Sequence, residues 1–175
     1  MKKDEIERKF WLKRTPKVPS ELLIDVLKIK QFYLRIGNTD NWERIRRSYS
    51  RKNDKTTYFY TMKKKISSIK NEEDERVLSK KSFDRYIKLC KSKSKEDTRV
   101  ISKTRYVYKD GKLKWEVDVF KNMSMIIAEI EIPTENYKLT IPKFISNVLI
   151  MEVSEFSQVG NRTLAEKIST EETYF

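Results

Sequence analysis

Six segments of this chain carry charged residues two positions apart. Arg44 and Arg46 flank Ile45, Lys103 and Arg105 flank Thr104, Glu73 and Glu75 flank Asp74, Glu116 and Asp118 flank Val117, and Glu129 and Glu131 flank Ile130. The sixth, Glu5-Ile6-Glu7-Arg8-Lys9-Phe10, places two carboxylates and a lysine on alternate positions. Alternate side chains of a β-strand point to one face. Read as strands, two of the six present a basic face, three an acidic face and one a mixed Glu-Glu-Lys face. A half-buried strand with its charges in solvent explains any single case. It does not explain the segregation by sign, because like charges side by side are costly unless opposite charge lies between them. A polyanion answers the basic doublets, and a divalent cation answers the acidic ones. A metal–triphosphate complex answers both. Closing the strands into a barrel would bring one face of each into a common interior, where charges act more strongly than on an open surface.

The rest of the chain fits that reading. Short alternating runs rich in Tyr, Phe, Ile, Val, Trp and Thr predict strands over Glu5–Leu12, Gln31–Ile36, Trp42–Ser50, Thr57–Lys64 and Asp74–Leu78. Four more are expected over Val100–Tyr108, Lys114–Phe120, Ser124–Ile132 and Leu149–Val153. Asp110-Gly111 signals a tight hairpin turn. Lys63 stands in Phe59-Tyr60-Thr61-Met62-Lys63, a segment otherwise mostly apolar and aromatic. Phe83, Tyr86, Ile87 and Cys90 fall on one helical face, so Ser82–Lys91 is expected to be a helix. Ser20–Lys28, Thr134–Leu139 and Asn161–Ile168 are weaker helical segments, each opening on a residue suited to capping. The expected fold class is mainly β (α+β): one domain over residues 1–175, a closed antiparallel β-barrel forming a tunnel with a few covering helices.

Composition narrows the chemistry. The net charge of +13 attracts polyanions without saying which. The chain has no histidine, which removes the commonest general base and the commonest zinc ligand. Any metal must then sit among oxygen ligands, which points to Mg²⁺ or Mn²⁺. Cys90 is the only cysteine, so no intramolecular disulfide can form. Nothing resembles a signal peptide or a membrane-spanning run, and a cytoplasmic setting is expected. The basic stretch Lys80–Lys95 reads as a solvated helix face and loop.

The segment Glu5-Ile6-Glu7-Arg8-Lys9-Phe10 resembles the ExExK signature of the CYTH, or triphosphate tunnel metalloenzyme, family. Further similar segments follow in family order: Gln31-Phe32-Tyr33-Leu34, Glu43-Arg44-Ile45-Arg46, Tyr60-Thr61-Met62-Lys63, Lys103-Thr104-Arg105-Tyr106, Glu116-Val117-Asp118-Val119-Phe120, Ala128-Glu129-Ile130-Glu131 and Asn161-Arg162-Thr163-Leu164-Ala165. The resemblance implies that Lys9, Arg44, Arg46, Lys63, Arg105 and Arg162 bind the triphosphate. It implies that Glu5, Glu7, Asp118, Glu129 and Glu131 hold the metal, with Glu73, Glu75 and Glu116 in support. Lys103 is the candidate for positioning or activating the attacking water, and Glu5 and Glu7 join it as catalytic candidates through the metal. Two positions depart from the family pattern. Arg162 replaces the usual lysine, and a guanidinium does not readily act as a base. Phe32 stands where a glycine is common. The implied reaction is metal-dependent hydrolysis of a triphosphate, first of all inorganic tripolyphosphate. The alternatives are a nucleoside or thiamine triphosphatase, a class IV-type adenylate cyclase and, from another class, a non-catalytic polyphosphate- or nucleotide-binding module. The expected partner is a small triphosphate such as tripolyphosphate or ATP. Nucleic acid is less favoured, no membrane is expected, and a homodimer stays open.

Overall fold

The computed structural model describes residues 2–34, 41–92, 98–121 and 123–156. Nine strands run in chain order: β1 (Lys2–Leu12), β2 (Leu23–Leu34), β3 (Asn41–Ser50), β4 (Lys55–Lys65), β5 (Lys70–Leu78), β6 (Thr98–Asp110), β7 (Leu113–Phe120), β8 (Ile126–Glu131) and β9 (Leu149–Glu152). Among the described residues there are also two helices, α1 (Lys80–Ser92) and the single turn α2 (Lys143–Ser146), and a 3-10 turn at Ser20–Leu22. All pairings are antiparallel, and the spatial order is β5-β4-β3-β2-β6-β7-β8-β1-β9. β1 also pairs with β5 through Lys2–Ile6, which closes eight strands into a barrel. β9 lies beside the second half of β1 and outside that ring.

Two apolar clusters coat the barrel from outside. Phe10, Trp115, Val117, Ala128 and Ile130 point outward from β1, β7 and β8. They are covered by Ile132, Ile145 and Val148 from the segment between β8 and β9. On the opposite wall Ile45 and Tyr60 pack under Phe83 of α1, with Phe32, Tyr58, Tyr86 and Ile87 around them. α1 starts cleanly because Ser79 Oγ accepts a hydrogen bond from the Ser82 backbone N–H at 3.1 Å. Phe32, at the position of the family's glycine, meets Phe83 edge-on at 6.2 Å in a regular strand. Inside, Tyr33, Ile101, Phe120 and Ile127 form an apolar layer with Trp11. The charged positions share that inner face.

Three sequence expectations change. Ser20–Lys28 is not a helix: after its 3-10 turn the chain runs straight into β2. Leu23, Val26 and Leu27 have helical spacing, but β3 and β6 offer backbone partners on both edges, and pairing overrides a weak local preference. Thr134–Leu139 forms only a turn, in which Tyr137 N–H bonds to Thr134 C=O at 3.0 Å. It has a cap residue but no apolar face to bury, and the helix that does form follows Pro142. β5 begins at Lys70 rather than Asp74, because the start of its alternation is written in polar residues that face the interior. Asn161–Ile168 lies outside the described residues. The expected hairpin turn is present, with Gly111 at φ +59 as the first of its two central residues.

Candidate active site

Strand register sets the charged side chains against each other. Lys9 stands opposite Glu129 and Glu7 opposite Glu131. Arg105 faces Asp118, and Glu116 faces Glu129. On the other wall Lys63 faces Glu73, Thr61 faces Glu75, and Arg44 sits between Tyr33 and Thr61. All of these side chains except Asp118 and Thr61 line a cavity of about 740 Å³.

Two ion clusters result. On the β6–β7–β8–β1 wall Arg105 grips Asp118 with a fork, Nε to Oδ1 and Nη2 to Oδ2 both at 2.6 Å. The same guanidinium reaches Glu129 at 2.7 Å and contacts Glu116. Lys9 lies 2.5 Å from Glu7 and 3.2 Å from Glu129. On the β3–β4–β5–β1 wall Arg46 Nη2 bonds both oxygens of Glu75, at 3.1 and 3.0 Å, and Thr61 donates to Glu75 at 2.8 Å. Lys63 joins Glu5 and lies 2.7 Å from Glu73. Arg44 is held more loosely, 3.6 Å from Glu75 and 3.9 Å from Glu73. The Nε atoms of Arg44 and Arg46 are buried without a hydrogen-bond acceptor among the described residues. An unpaired buried donor on a cation is expensive. Both residues border the same cavity.

Burial and neighbours set the protonation of these groups. Burial and the adjacent Glu7 push Glu5 up to about 7, against the pull of Lys63. Burial would also raise Glu7, but Lys9 and Lys63 outweigh it and hold that carboxyl low. Glu129, buried yet surrounded by Lys9, Lys103 and Arg105, lies well below the usual carboxylate range. Burial and Arg105 bring Lys103 down to about 8, with Asp118 opposing only in part. Burial and Arg44 bring Arg46 down to about 10.

Of the sequence candidates, Glu5, Glu7, Lys9, Arg44, Arg46, Lys63, Arg105, Glu129 and Glu131 all border the cavity, as do Glu73, Glu75 and Glu116. Glu131 is at its exposed margin, 3.2 Å from Lys3. Lys103 and Asp118 are bonded to each other and completely buried behind Arg105, off the cavity wall. Arg162 lies outside the described residues. The site also uses residues the charge pattern did not flag. Tyr33 hydrogen-bonds Arg44, and its hydroxyl accepts from Gln31 Nε2 at 3.1 Å. Burial, only partly offset by Arg44, raises the Tyr33 phenol. Both residues lie two apart on a strand, the same periodicity as the charged doublets, but as neutral side chains they carry no sign to notice.

No protein-family model matches the sequence, and no curated protein does. Among solved structures, the inorganic triphosphatase NE1496 superposes with a TM-score of 0.58 at 25% identity, covering 93% of this chain and 94% of that one. The chain has the triphosphate tunnel fold. PH1819 from Pyrococcus horikoshii OT3 shares the fold at 19% identity and a TM-score of 0.56, over 75% of this chain and 80% of that one. So does HpAC1 from Hippeastrum, a protein assigned to the adenylyl cyclases that has a dominant triphosphatase activity. Its identity is 17% and its TM-score 0.52, over 74% of this chain and 80% of that one.

The carboxylates that border the cavity, Glu5, Glu7, Glu129 and Glu131 among them, are oxygen donors of the kind a hard dication takes. Every donor is a carboxylate oxygen, as Mg²⁺ and Mn²⁺ prefer. Glu5, pushed up to about 7 by burial and Glu7, belongs to a carboxylate pair that resists double ionisation, and a dication relieves such a pair. Among the described residues no three carboxylates are already gathered as ligands. Those bordering the cavity are instead drawn onto lysines and arginines.

Proposed function

We propose that this chain hydrolyses a linear triphosphate, inorganic tripolyphosphate first, inside its tunnel. The observation that carries the reading is the convergence of Arg44 and Arg46 on one cavity ringed by ion pairs, each with a buried Nε donor that has no acceptor among the described residues. A triphosphate offers acceptors to both. It can also draw Lys9, Lys63 and Arg105 from their carboxylates, freeing those for a metal. NE1496, similar along nearly its whole length, is an inorganic triphosphatase, which favours hydrolysis over simple capture.

The roles follow from the geometry. Arg44, Arg46 and Arg105 grip phosphate oxygens with forked donors, and Lys9 and Lys63 neutralise charge at points between them. Glu5, Glu7, Glu129 and Glu131 would hold Mg²⁺ or Mn²⁺. When bound, such an ion offsets the charge that develops on the phosphoryl and leaving oxygens. Lys103 and Asp118 fix Arg105 from behind, so their contribution is to its aim. Lys103, read from the sequence as the residue that positions or activates the attacking water, is bonded to Asp118 off the cavity wall and so acts through the aim of Arg105. Glu75 and Thr61 orient Arg46, and Tyr33 orients Arg44.

The test supplies tripolyphosphate or ATP with Mg²⁺ or Mn²⁺ and separates all products by chromatography. Pyrophosphate and phosphate from tripolyphosphate are expected, at a higher rate than ADP forms from ATP. Cyclic AMP from ATP would move the chain to the cyclase alternative. No product from either would leave a binding role.

A further inference from the structure

Several cations on the outside of the barrel meet an acid. Arg8 bonds Glu152, Lys70 lies 2.9 Å from Asp4, Lys80 lies 2.7 Å from Asp84, and Lys64 stands opposite Glu72. Across β7, β6, β2 and β3 the pattern breaks. Lys30 stands directly opposite Arg47, and like charges so placed weaken a strand pair. Both point outward, because they alternate with the inner Gln31 and Arg46 and share the side of Phe32 and Ile45, which pack under α1. Lys28, two residues back on β2, joins them on that face. On the other side of Lys30 its β6 partner is Ser102, whose C=O accepts from the Lys121 N–H at 2.9 Å. Lys121, Lys30 and Arg47 thus form a row about 15 Å long, over three strand spacings. All four cations are exposed, and none forms an ion pair among the described residues. The nearby acids are already engaged. Asp25 accepts from Ser50 and from the N–H groups of Val26 and Lys52, and Asp54 accepts from Tyr49 at 2.7 Å. Tyr49 itself stands opposite Lys28, half-buried, with its ring held by that hydroxyl bond.

We propose that this outer face binds a single-stranded nucleic acid, with Lys28, Lys30, Arg47 and Lys121 on its phosphates and Tyr49 beneath a base. The site lies outside the barrel, apart from the cavity, and is independent of what the tunnel hydrolyses. Phosphates supply the negative charge that the row lacks, and each one neutralised by Lys or Arg releases counterions. An aromatic ring beside such a row gives a base somewhere to stack. A base reaches Tyr49 only when it is unpaired, which selects a single strand. Among the described residues, no exposed large apolar side chain lies between the Lys28–Tyr49 and Lys30–Arg47 pairs, so nothing there inserts into a lipid surface. An acidic peptide would answer the cations but leave the ring unused.

The experiment follows the fluorescence anisotropy of a labelled single-stranded oligonucleotide with a 5′-hydroxyl end, which gives the tunnel no triphosphate to hold. Lys30→Gln/Arg47→Gln/Lys121→Gln should bind it about tenfold more weakly at low salt. The slope of log affinity against log salt should fall by about two, the share of three phosphate contacts on a single strand. A variant of equal charge loss beyond β1, on the far side of the barrel, Lys13→Gln/Arg14→Gln/Lys17→Gln, should stay within about twofold of the wild type. So should the tunnel variant Arg44→Gln/Arg46→Gln. Tyr49→Leu keeps every charge and should cost about fivefold through lost stacking. An equal loss in both surface variants overturns the proposal, because net charge alone would then explain binding. A loss confined to the tunnel variant overturns it too, as does an unchanged affinity in Tyr49→Leu, which would make the row a site for polyanions without bases. Binding to phosphatidylglycerol vesicles with none to the oligonucleotide would assign the face to a membrane surface instead.

Discussion

Glu129→Gln is expected to lower kcat/KM for tripolyphosphate by about a hundredfold or more, the scale of losing a group that both ligates a metal and aims its neighbours. Glu129 is buried at the meeting point of Lys9 and Arg105, at 3.2 and 2.7 Å. An amide keeps the shape but gives up the charge, so the two cations lose a shared anchor and the metal loses an oxygen donor. The fold should survive, because Lys9 keeps Glu7 and Arg105 keeps Asp118 and Glu116. Rates measured against Mg²⁺ or Mn²⁺ concentration, with a melting curve on the same sample, check both halves. Wild-type activity with unchanged metal dependence would remove Glu129 from the site.

Arg105→Met should cost about 3–5 kcal/mol of folding stability at neutral pH, because breaking a buried ion cluster strands the charges left behind. Arg105 is the hub of its wall, holding Asp118, Glu129 and Glu116 together. The loss should shrink in acid. Glu129 has a folded pKa well below its ordinary value, so its pairing stabilises the fold above the ordinary carboxylate range and is lost as pH falls through the folded value. Removing Arg105 withdraws part of that contribution at neutral pH and little of it once the carboxyls are protonated. Urea titrations at pH 7.5 and about pH 2 should therefore show a wide gap between wild type and variant at the first and a narrow one at the second, the gap starting to shrink only below the ordinary carboxylate range. An equal gap at both would mean that packing, not charge, is what Arg105 supplies.

Much of this was legible in the sequence because strand periodicity and charge sign are both written residue by residue. Arg44 and Arg46, or Glu129 and Glu131, announce a shared face wherever the strand lies, and barrel closure makes that face the interior. Register is not written that way. Which carboxylate meets which cation depends on pairings between distant strands, so the sequence could group Asp118 with the metal carboxylates but not reveal that Arg105 and Lys103 already claim it. The same limit hid Tyr33 as the partner of Arg44. Local signals failed where they were weakest. After Ser20 strand pairing on both edges overrode the helical spacing of Leu23, Val26 and Leu27, and after Thr134 the cap residue had only a turn to open.

The measurement closest to the central claim, a tunnel built to hold a triphosphate, is a calorimetric titration of tripolyphosphate into the wild type and into Arg44→Gln/Arg46→Gln without added metal. The account predicts one site per chain in the wild type and affinity lower by about a hundredfold in the variant, since two charge-assisted donors sets are lost. Equal affinity in both proteins would contradict it, because the anion would then be bound somewhere other than on the Arg44 and Arg46 guanidinium groups that border the cavity.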